Sequence, residues 1–178
     1  MTEAKNIVIT GFMGTGKSTV GRLVSASLER EFVDMDTLIE AREGRPISRI
    51  FAEAGEPYFR RLEAELSREL AERVGLVVAT GGGTLVPLNN LQVMAHTGLV
   101  ICLDCEPETL WRRIGHSEDR PMLAARDAAR FARLAALLVE RQPAYARIPH
   151  HIDVTHLKPG EVAARVCELA NRLQAVEG

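Results

Sequence analysis

A glycine-rich segment near the amino terminus has residue types and a spacing that suit phosphate binding. Residues 11–18, GFMGTGKS, match the pattern G-x-x-x-x-G-K-[ST] in full. Glycines let such a loop wrap so that backbone N–H groups point at phosphate oxygens, and a following helix adds its partial positive charge. Lys17 would then reach the β- and γ-phosphates of a nucleotide, and the Ser18 hydroxyl would ligate Mg²⁺. The expected nucleotide contacts form one continuous run: Gly14, Thr15, Gly16, Lys17, Ser18 and Thr19.

Two acids, Asp34 and Asp36, lie in FVDMD at the end of the second predicted strand. The two-residue period of a strand would point both side chains to one side, and ligands of open parallel sheets bind beyond the carboxyl ends of strands. One acid could then approach a metal ion while the other accepts a hydrogen bond from a substrate hydroxyl. Two solvated turn acids would fit the same residues, so the pair alone leaves both interpretations open.

Three arginines could bind an anionic substrate or phosphate. Arg60 opens a long predicted helix, Arg120 lies in a polar, turn-rich stretch, and Arg141 ends a predicted helix before Pro143. The planar guanidinium matches carboxylate and phosphate in a way that lysine cannot. Most helical arginines are solvated surface charges, so each of the three is weak evidence by itself.

Short β-rich runs alternate with longer helical patterns, which predicts an α/β fold with a parallel sheet covered by helices. The predicted strands are 6–10, 31–36, 76–79, 99–103 and 151–154. The predicted helices begin at Lys17 and Pro107 or span 36–42, 47–54, 56–74, 88–96, 128–141 and 160–176. We therefore expect a three-layer α/β/α P-loop fold with roughly five strands. It would form one domain over 1–178, with a substrate-binding region at about 34–62 and a mobile lid at about 113–127.

Composition argues against several classes of protein. The 178-residue chain has a formal net charge of -2 and 4% aromatic residues, so nothing suggests a nucleic-acid partner. No signal peptide is recognisable, and no apolar run approaches the ~18 residues of a membrane helix, so the cytoplasm is the expected location. Cys102 and Cys105 form a single C-x-x-C motif, which supplies too few ligands for a zinc site. Cys102 is expected to be a small apolar residue buried in a strand. The five histidines show no regular ligand spacing.

The motifs GFMGTGKSTVG, FVDMD, IFAEAGEPYFRRLE, VVATGGGTLV, RPML and ERQPAY occur in the order and approximate spacing of shikimate kinases. The sequence resembles that family from about Ile7 to the final helix. The distinctive part is the combination of D-x-D, F-R-x-x-E, G-G-G and R-P-x-L, because many families share the phosphate loop. The resemblance implies transfer of phosphate from ATP, with Mg²⁺, to the 3-hydroxyl of shikimate, a step of chorismate and aromatic amino acid biosynthesis.

The resemblance also implies roles for individual side chains. Asp36 would bind the shikimate hydroxyls close to the reacting one, and Asp34 would lie on the magnesium side with Ser18. Arg60 and Arg141 would hold the substrate carboxylate, and Glu63 would support Arg60.

Further implied contacts come from backbone and from the nucleotide side. The substrate would lie close to the backbone of Gly81, Gly82 and Gly83. Arg120 would meet the phosphates when the lid closes, and it would form the catalytic group with Lys17 and Asp36. Arg113 and Pro159 would flank the adenine ring.

Two other functions stay open at this point. Gluconate also carries a carboxylate and hydroxyls, so a gluconate-type kinase fits the arginines and acids equally well. A nucleotide kinase would need a second pocket for a base, and no segment of the sequence indicates one. A non-catalytic, nucleotide-dependent regulatory module is disfavoured because Lys17, Ser18, Asp36 and Arg120 are all present. A GTPase is disfavoured because the guanine signature Asn-Lys-x-Asp is missing. The expected partners are ATP and shikimate, and nothing requires more than a monomer.

Overall fold

A computed structural model describes residues 5–114 and 127–176, without the side chains of residue 127 and residues 174–176. Its strands are β1 (Asn6–Gly11), β2 (Glu31–Asp34), β3 (Leu76–Ala79), β4 (Gly98–Asp104) and β5 (His150–Asp153). Its helices are α1 (Lys17–Leu28), α2 (Met35–Glu43), α3 (Ile47–Ala54), α4 (Glu56–Ala71), α5 (Leu88–Thr97), α6 (Pro107–Ile114), α7 (Asp127–Tyr145) and α8 (Pro159–Val176). Within these ranges, no helix is long and apolar enough to cross a bilayer.

The five strands form one parallel sheet in the order β2-β3-β1-β4-β5. The predicted fold class is thus confirmed. Because all strands run in one direction, their carboxyl ends lie along a single edge of the sheet. Central strand β1 pairs with both β3 and β4, so the loop that follows β1 emerges in the middle of that edge.

The sheet is buried on both faces, which explains the nearly continuous apolar composition of its strands. Ile7 and Ile9 of β1 pack with Val20 and Val24 of α1 on one face. Val8, between them in sequence, belongs to the apolar cluster on the other face. None of the three β1 side chains is more than 1% exposed. The central strand therefore gives the following loop a rigid anchor.

The second strand is shorter than the predicted range 31–36. It ends at Asp34, and Asp36 lies in the first turn of α2. Asp34 has extended backbone, and its Oδ1 accepts a hydrogen bond from the Thr37 N–H at 3.1 Å. Aspartate is a favoured N-cap residue, so the helix begins directly after it. The argument that strand periodicity directs Asp34 and Asp36 to one side was wrong.

Helix α7 is longer than the predicted range 128–141, because it continues through Pro143 to Tyr145. A proline lacks one N–H, but only the last turn is affected, and the Ala146 N–H donates to the Gln142 carbonyl at 2.9 Å beyond it. Arg141 therefore does not end the helix. It lies four residues before Tyr145, on the same helical face.

Candidate active site

A cavity of about 800 Å³ opens at the carboxyl edge of the sheet. Its walls come from the loop after β1, the ends of β2 and β3, and helices α1 to α4, α6 and α7. Most of the residues predicted for the site line this cavity: Gly14, Gly16, Lys17, Ser18, Thr19, Asp34, Asp36, Arg60, Gly81, Gly82, Gly83, Arg113 and Arg141. The volume lies in the range of small-molecule sites.

The loop after β1 leads directly into the first turn of α1. Gly16 is the N-cap of α1 and has a φ of 91°, a left-handed conformation that favours glycine. Since glycine has no side chain that could cap the helix, the first-turn N–H groups are available to an anion, and the helix end is electropositive. This geometry suits the phosphates of a nucleotide.

Thr15 and Lys17 hold this loop in shape. Thr15 is 2% exposed, does not line the cavity, and its hydroxyl donates to the Phe12 carbonyl at 2.8 Å. The Lys17 ammonium donates to the same carbonyl at 3.0 Å. The Thr15 side chain therefore stabilises the loop from behind, whereas Lys17 spans it at the cavity wall.

Ser18 and Asp34 bring two hard oxygen ligands together. The Ser18 hydroxyl donates to Asp34 Oδ2, while Asp34 Oδ1 caps α2. The two residues lie on different elements, the first turn of α1 and the end of β2. Hydroxyl and carboxylate oxygens are ligands that Mg²⁺ prefers, so this pair fits the magnesium site expected from the sequence.

Asp36 is a partly buried carboxyl group in the cavity wall. Burial raises the pKa of Asp36 from its ordinary value of 3.8 to about 6, against the opposing effect of the Lys17 ammonium and with a smaller contribution from the carboxylate of Glu63. A β-carbon added at Gly81 would lie 2.8 Å from Asp36 Oδ1, so the carboxyl group lies directly against that backbone. A carboxyl with a pKa near neutrality can accept a proton at physiological pH.

Arg60 is fixed by two carboxylates. Arg60 Nη1 donates to Glu63 Oε2 at 2.6 Å, and Nη2 donates to Glu56 Oε1 at 2.9 Å. Glu63 is 1% exposed, and its Oε1 accepts a hydrogen bond from the Thr84 hydroxyl at 2.5 Å. Both oxygens of a buried carboxylate are thereby satisfied, which orients the guanidinium at the cavity wall.

Arg141 brings a second guanidinium group to the cavity, beside the glycine turn. Its side chain is buried, with the guanidinium carbon 5.6 Å from the centroid of the Phe12 ring. A β-carbon at Gly82 would lie 3.1 Å from Arg141 Nη1, and one at Gly83 would lie 2.6 Å from Arg60 Nη1. A side chain at either glycine would therefore press on one of the two guanidinium groups.

Tyr145 is the last residue of the ERQPAY motif, but the sequence analysis gave it no role. Its hydroxyl donates to the Gly82 carbonyl at 2.6 Å, which ties the glycine turn to α7. Burial raises the pKa of Tyr145 to about 12, so this donor stays protonated. Its position four residues after Arg141 could have indicated a shared face, but only after α7 was known to continue through Pro143.

Of the two predicted adenine contacts, one lines the cavity and the other does not. Arg113 lines the cavity, and its guanidinium donates to the carbonyls of Gly14 at 3.5 Å and Val154 at 3.0 Å. Pro159 is exposed at the start of α8 and does not line the cavity. Arg120 and most of the predicted lid lie outside the described residues.

An apolar wall of the cavity was also missed by the sequence analysis. Pro46, Ile47, Phe51 and Phe59 line it, and the Phe51 and Phe59 ring centroids are 5.0 Å apart. Apolar residues at the starts of helices look like core residues in a sequence, so no local signal separates them from packing. They give the cavity an apolar surface beside its charged residues.

A central phosphate loop in a parallel sheet, next to acids and guanidinium groups in one small cavity, defines a P-loop kinase of small molecules. Comparison with known proteins narrows the class. The shikimate kinase family model matches residues 13–171, and the chain belongs to the shikimate kinase family. The resemblance noted in the sequence is confirmed.

Individual relatives agree with this assignment. The shikimate kinase of Caldanaerobacter subterraneus subsp. tengcongensis is 41% identical over 162 residues, which cover 91% of this chain and 94% of the relative. The shikimate kinase of Symbiobacterium thermophilum is 46% identical over 147 residues, 82% of this chain and 83% of the relative. A solved structure of shikimate kinase from Acinetobacter baumannii in complex with shikimate superposes with a TM-score of 0.82 at 32% identity, covering 97% of this chain and 92% of that one.

Proposed function

We propose that this protein transfers the γ-phosphate of ATP to the 3-hydroxyl of shikimate, producing shikimate 3-phosphate and ADP. The chain belongs to the shikimate kinase family. The observation that carries the proposal is that one cavity contains the phosphate loop, Asp36 and two guanidinium groups. Such a reaction supplies the pathway to chorismate and the aromatic amino acids. The cytoplasmic location, the monomeric state and the single-domain organisation stay predictions from the sequence.

Arg60 and Arg141 would bind the substrate carboxylate. Both guanidinium groups lie against the glycine turn, one beside Gly83 and the other beside Gly82. A carboxylate bound between two such forks can form paired, charge-assisted hydrogen bonds. Fixing that end of the ring would orient its hydroxyl groups towards Asp36 and the phosphate loop.

Asp36 would orient the reacting hydroxyl and accept its proton. Phosphoryl transfer requires little covalent assistance, so positioning and charge neutralisation dominate its catalysis. The raised pKa of Asp36 suits a proton acceptor, and the nearby Lys17 ammonium would neutralise charge on the transferred group. Arg120 would act on the same charge, as the family resemblance implies.

Ser18 and Asp34 would hold Mg²⁺ with the nucleotide, Asp34 through a bound water molecule. Such an ion would supply charge neutralisation on the phosphates of the nucleotide. Its two protein partners are already in mutual contact across α1 and β2, so little rearrangement of the protein would be needed.

A coupled ADP-release assay with MgATP tests the acceptor. We expect turnover with shikimate and none with gluconate or a nucleoside monophosphate. Turnover with either of the other acceptors, or with no acceptor at all, would overturn the proposal for the substrate while leaving nucleotide binding intact.

The two neighbouring arginines of α4 offer a matched test of carboxylate binding. Arg60→Ala should raise the KM for shikimate at least about tenfold and leave ATP affinity unchanged, because a charge-assisted pair contributes about 1.5–3 kcal/mol. Arg61→Ala is the control, since Arg61 is exposed and stacks over the Tyr58 ring at 5.3 Å without lining the cavity. Equal loss of ATP affinity in Arg60→Ala would assign this residue a structural role instead.

A further inference from the structure

Helix α3 has no cap of its own at its N-terminus. The N-cap position is occupied by Pro46, which has extended backbone and makes no side-chain cap hydrogen bond. A proline side chain has no polar atom, so it cannot satisfy the N–H groups of the first turn. The helix has only eight residues, and short helices depend on tertiary contacts for their stability. The start of α3 must therefore find a hydrogen-bond acceptor on another element.

Glu40 of α2 supplies that acceptor. Its Oε1 accepts a hydrogen bond at 2.8 Å from the N–H of Ile47, the first residue of α3. The acceptor is a carboxylate on a different helix, and hydrogen bonds with an ionised partner are stronger than those between neutral groups. Glu40 consequently ties the start of α3 to α2.

Glu40 also lies on the face of α2 that carries Asp36. The two residues are four positions apart, which places their side chains one above the other on a helix. Both line the cavity of about 800 Å³. Burial is the main cause of the raised pKa of Asp36, and the nearby Glu40 carboxylate adds to it. The helix that carries the proposed proton acceptor therefore also carries the group that holds α3.

Helix α3 in turn carries part of the apolar surface of the cavity. Ile47 and Phe51 belong to this helix, and Pro46 directly precedes it. Because Glu40 bonds to the backbone of Ile47 itself, this hydrogen bond limits how far the apolar surface can move from Asp36.

We propose that Glu40 is a positioning residue for the phosphate acceptor. It holds the apolar surface of α3 at a set distance from Asp36, so that an acceptor molecule bound between them keeps its reacting hydroxyl at the carboxyl group. The role depends on the reach and the acceptor oxygen of the side chain rather than on its charge. The inference rests on the proposed function, because the acceptor is taken to be shikimate.

Two conservative variants separate reach from charge in steady-state kinetics. Glu40→Asp keeps the charge but is one methylene shorter, so it should lose the bond to Ile47 and raise the KM for shikimate about fivefold. Glu40→Gln keeps the reach and an acceptor oxygen, so its KM for shikimate should rise less than about twofold. The KM for ATP should stay constant in both variants, because the phosphate loop does not contact α3.

A change at Pro46 distinguishes positioning from simple helix capping. Serine is a favoured N-cap residue, so Pro46→Ser should give α3 a cap of its own. In this background Glu40→Asp should lower the Tm less than it does in the wild type, while the ratio of KM values between Glu40→Asp and its parent should persist. Disappearance of the KM ratio in the Pro46→Ser background would overturn the positioning role.

Glu53→Ala is the matched control, because Glu53 is an exposed carboxylate of α3 that pairs with Arg45 and Arg49 and does not line the cavity. It should keep the KM for shikimate. A wild type without turnover on shikimate would overturn the proposed function itself. Normal wild-type turnover with an unchanged KM in Glu40→Asp would overturn this inference alone. If Glu40→Asp does not fold, Glu40→Gln still decides, because a comparable rise of its KM also overturns the inference.

Discussion

At the scale of single residues, the raised pKa of Asp36 lowers the stability of the folded protein at neutral pH. The carboxyl group is held where its ionised form is disfavoured, and nearby carboxylates of Glu63, Asp34 and Glu40 add to that effect. The unfolded chain would ionise Asp36 at its ordinary pKa, so the folded state loses stability as the pH rises from about 4 to about 6. A shift of the pKa from 3.8 to about 6 corresponds to at most about 3 kcal/mol.

Asp36→Asn should therefore stabilise the ligand-free protein while abolishing turnover. The gain in Tm should be several degrees above pH 6 and should shrink as the pH falls towards 4, as measured by thermal unfolding across that range.

Asp153→Asn is a control of opposite sign. Hydrogen bonds from the Thr155 hydroxyl and N–H lower the pKa of Asp153, so its removal should lower the Tm at neutral pH. A Tm of Asp36→Asn that is unchanged or lower at pH 7.5 would contradict the burial argument for Asp36.

Tyr145→Phe should loosen the glycine turn without disturbing the nucleotide side. The change removes one hydrogen bond to the Gly82 carbonyl, a loss of about 1 kcal/mol, which corresponds to about a fivefold rise in the KM for shikimate. The KM for ATP should stay constant in steady-state kinetics.

Tyr58→Phe is the matched control for this prediction. The Tyr58 hydroxyl donates to Glu43 at 2.9 Å, and Tyr58 does not line the cavity. Equal changes of KM in both variants, or a parallel rise in the KM for ATP, would argue against a positioning role for Tyr145.

At the scale of elements, the start of α2 combines a helix cap with the proposed metal site. Asp34→Asn should preserve the cap, because asparagine caps helices as well as aspartate does, and should cost little stability. The Mg²⁺ concentration for half-maximal activity should rise about tenfold or more, because a neutral amide holds the metal's water ligands less strongly. Asp34→Ala should lose both functions and about 1 kcal/mol of stability. Magnesium titration and thermal unfolding separate these effects, and an unchanged Mg²⁺ requirement in Asp34→Asn would contradict the assignment.

The same elements show which features a sequence can predict. The phosphate loop is contiguous, so its residues and its position between β1 and α1 were readable directly. The predicted end of β2 was wrong because the preference of Asp34 for the N-cap of a helix outweighs the strand-like alternation of side chains in FVDMD. The predicted end of α7 was wrong because a proline in the last turn of a helix removes only one backbone hydrogen bond. In addition, Tyr145 donates a hydrogen bond to the glycine segment and Arg141 lies against it, so both side chains hold that turn in place.

At the scale of the whole molecule, the parallel sheet turns distant sequence positions into neighbours. Apolar runs predicted five strands, but not that β1 would lie between β3 and β4. Cys102 and His151 are 49 positions apart and meet only through the register of β4 and β5, so sequence spacing could not reveal their contact. The contacts between Glu63 and Thr84 and between Tyr145 and Gly82 arise from the same kind of convergence.

The close approach of the glycine turn to two guanidinium groups has a consequence for which substitutions this protein tolerates. Alanine at Gly83 would push a methyl group into Arg60, whereas alanine at Gly160 would meet no atom within 4 Å. The same substitution should therefore differ in effect between the two positions, because at Gly83 it displaces the Arg60 guanidinium and at Gly160 it meets no neighbouring atom. Added side-chain volume should therefore be tolerated more readily at open positions such as Gly160 than at the glycine turn, where it would move the guanidinium groups.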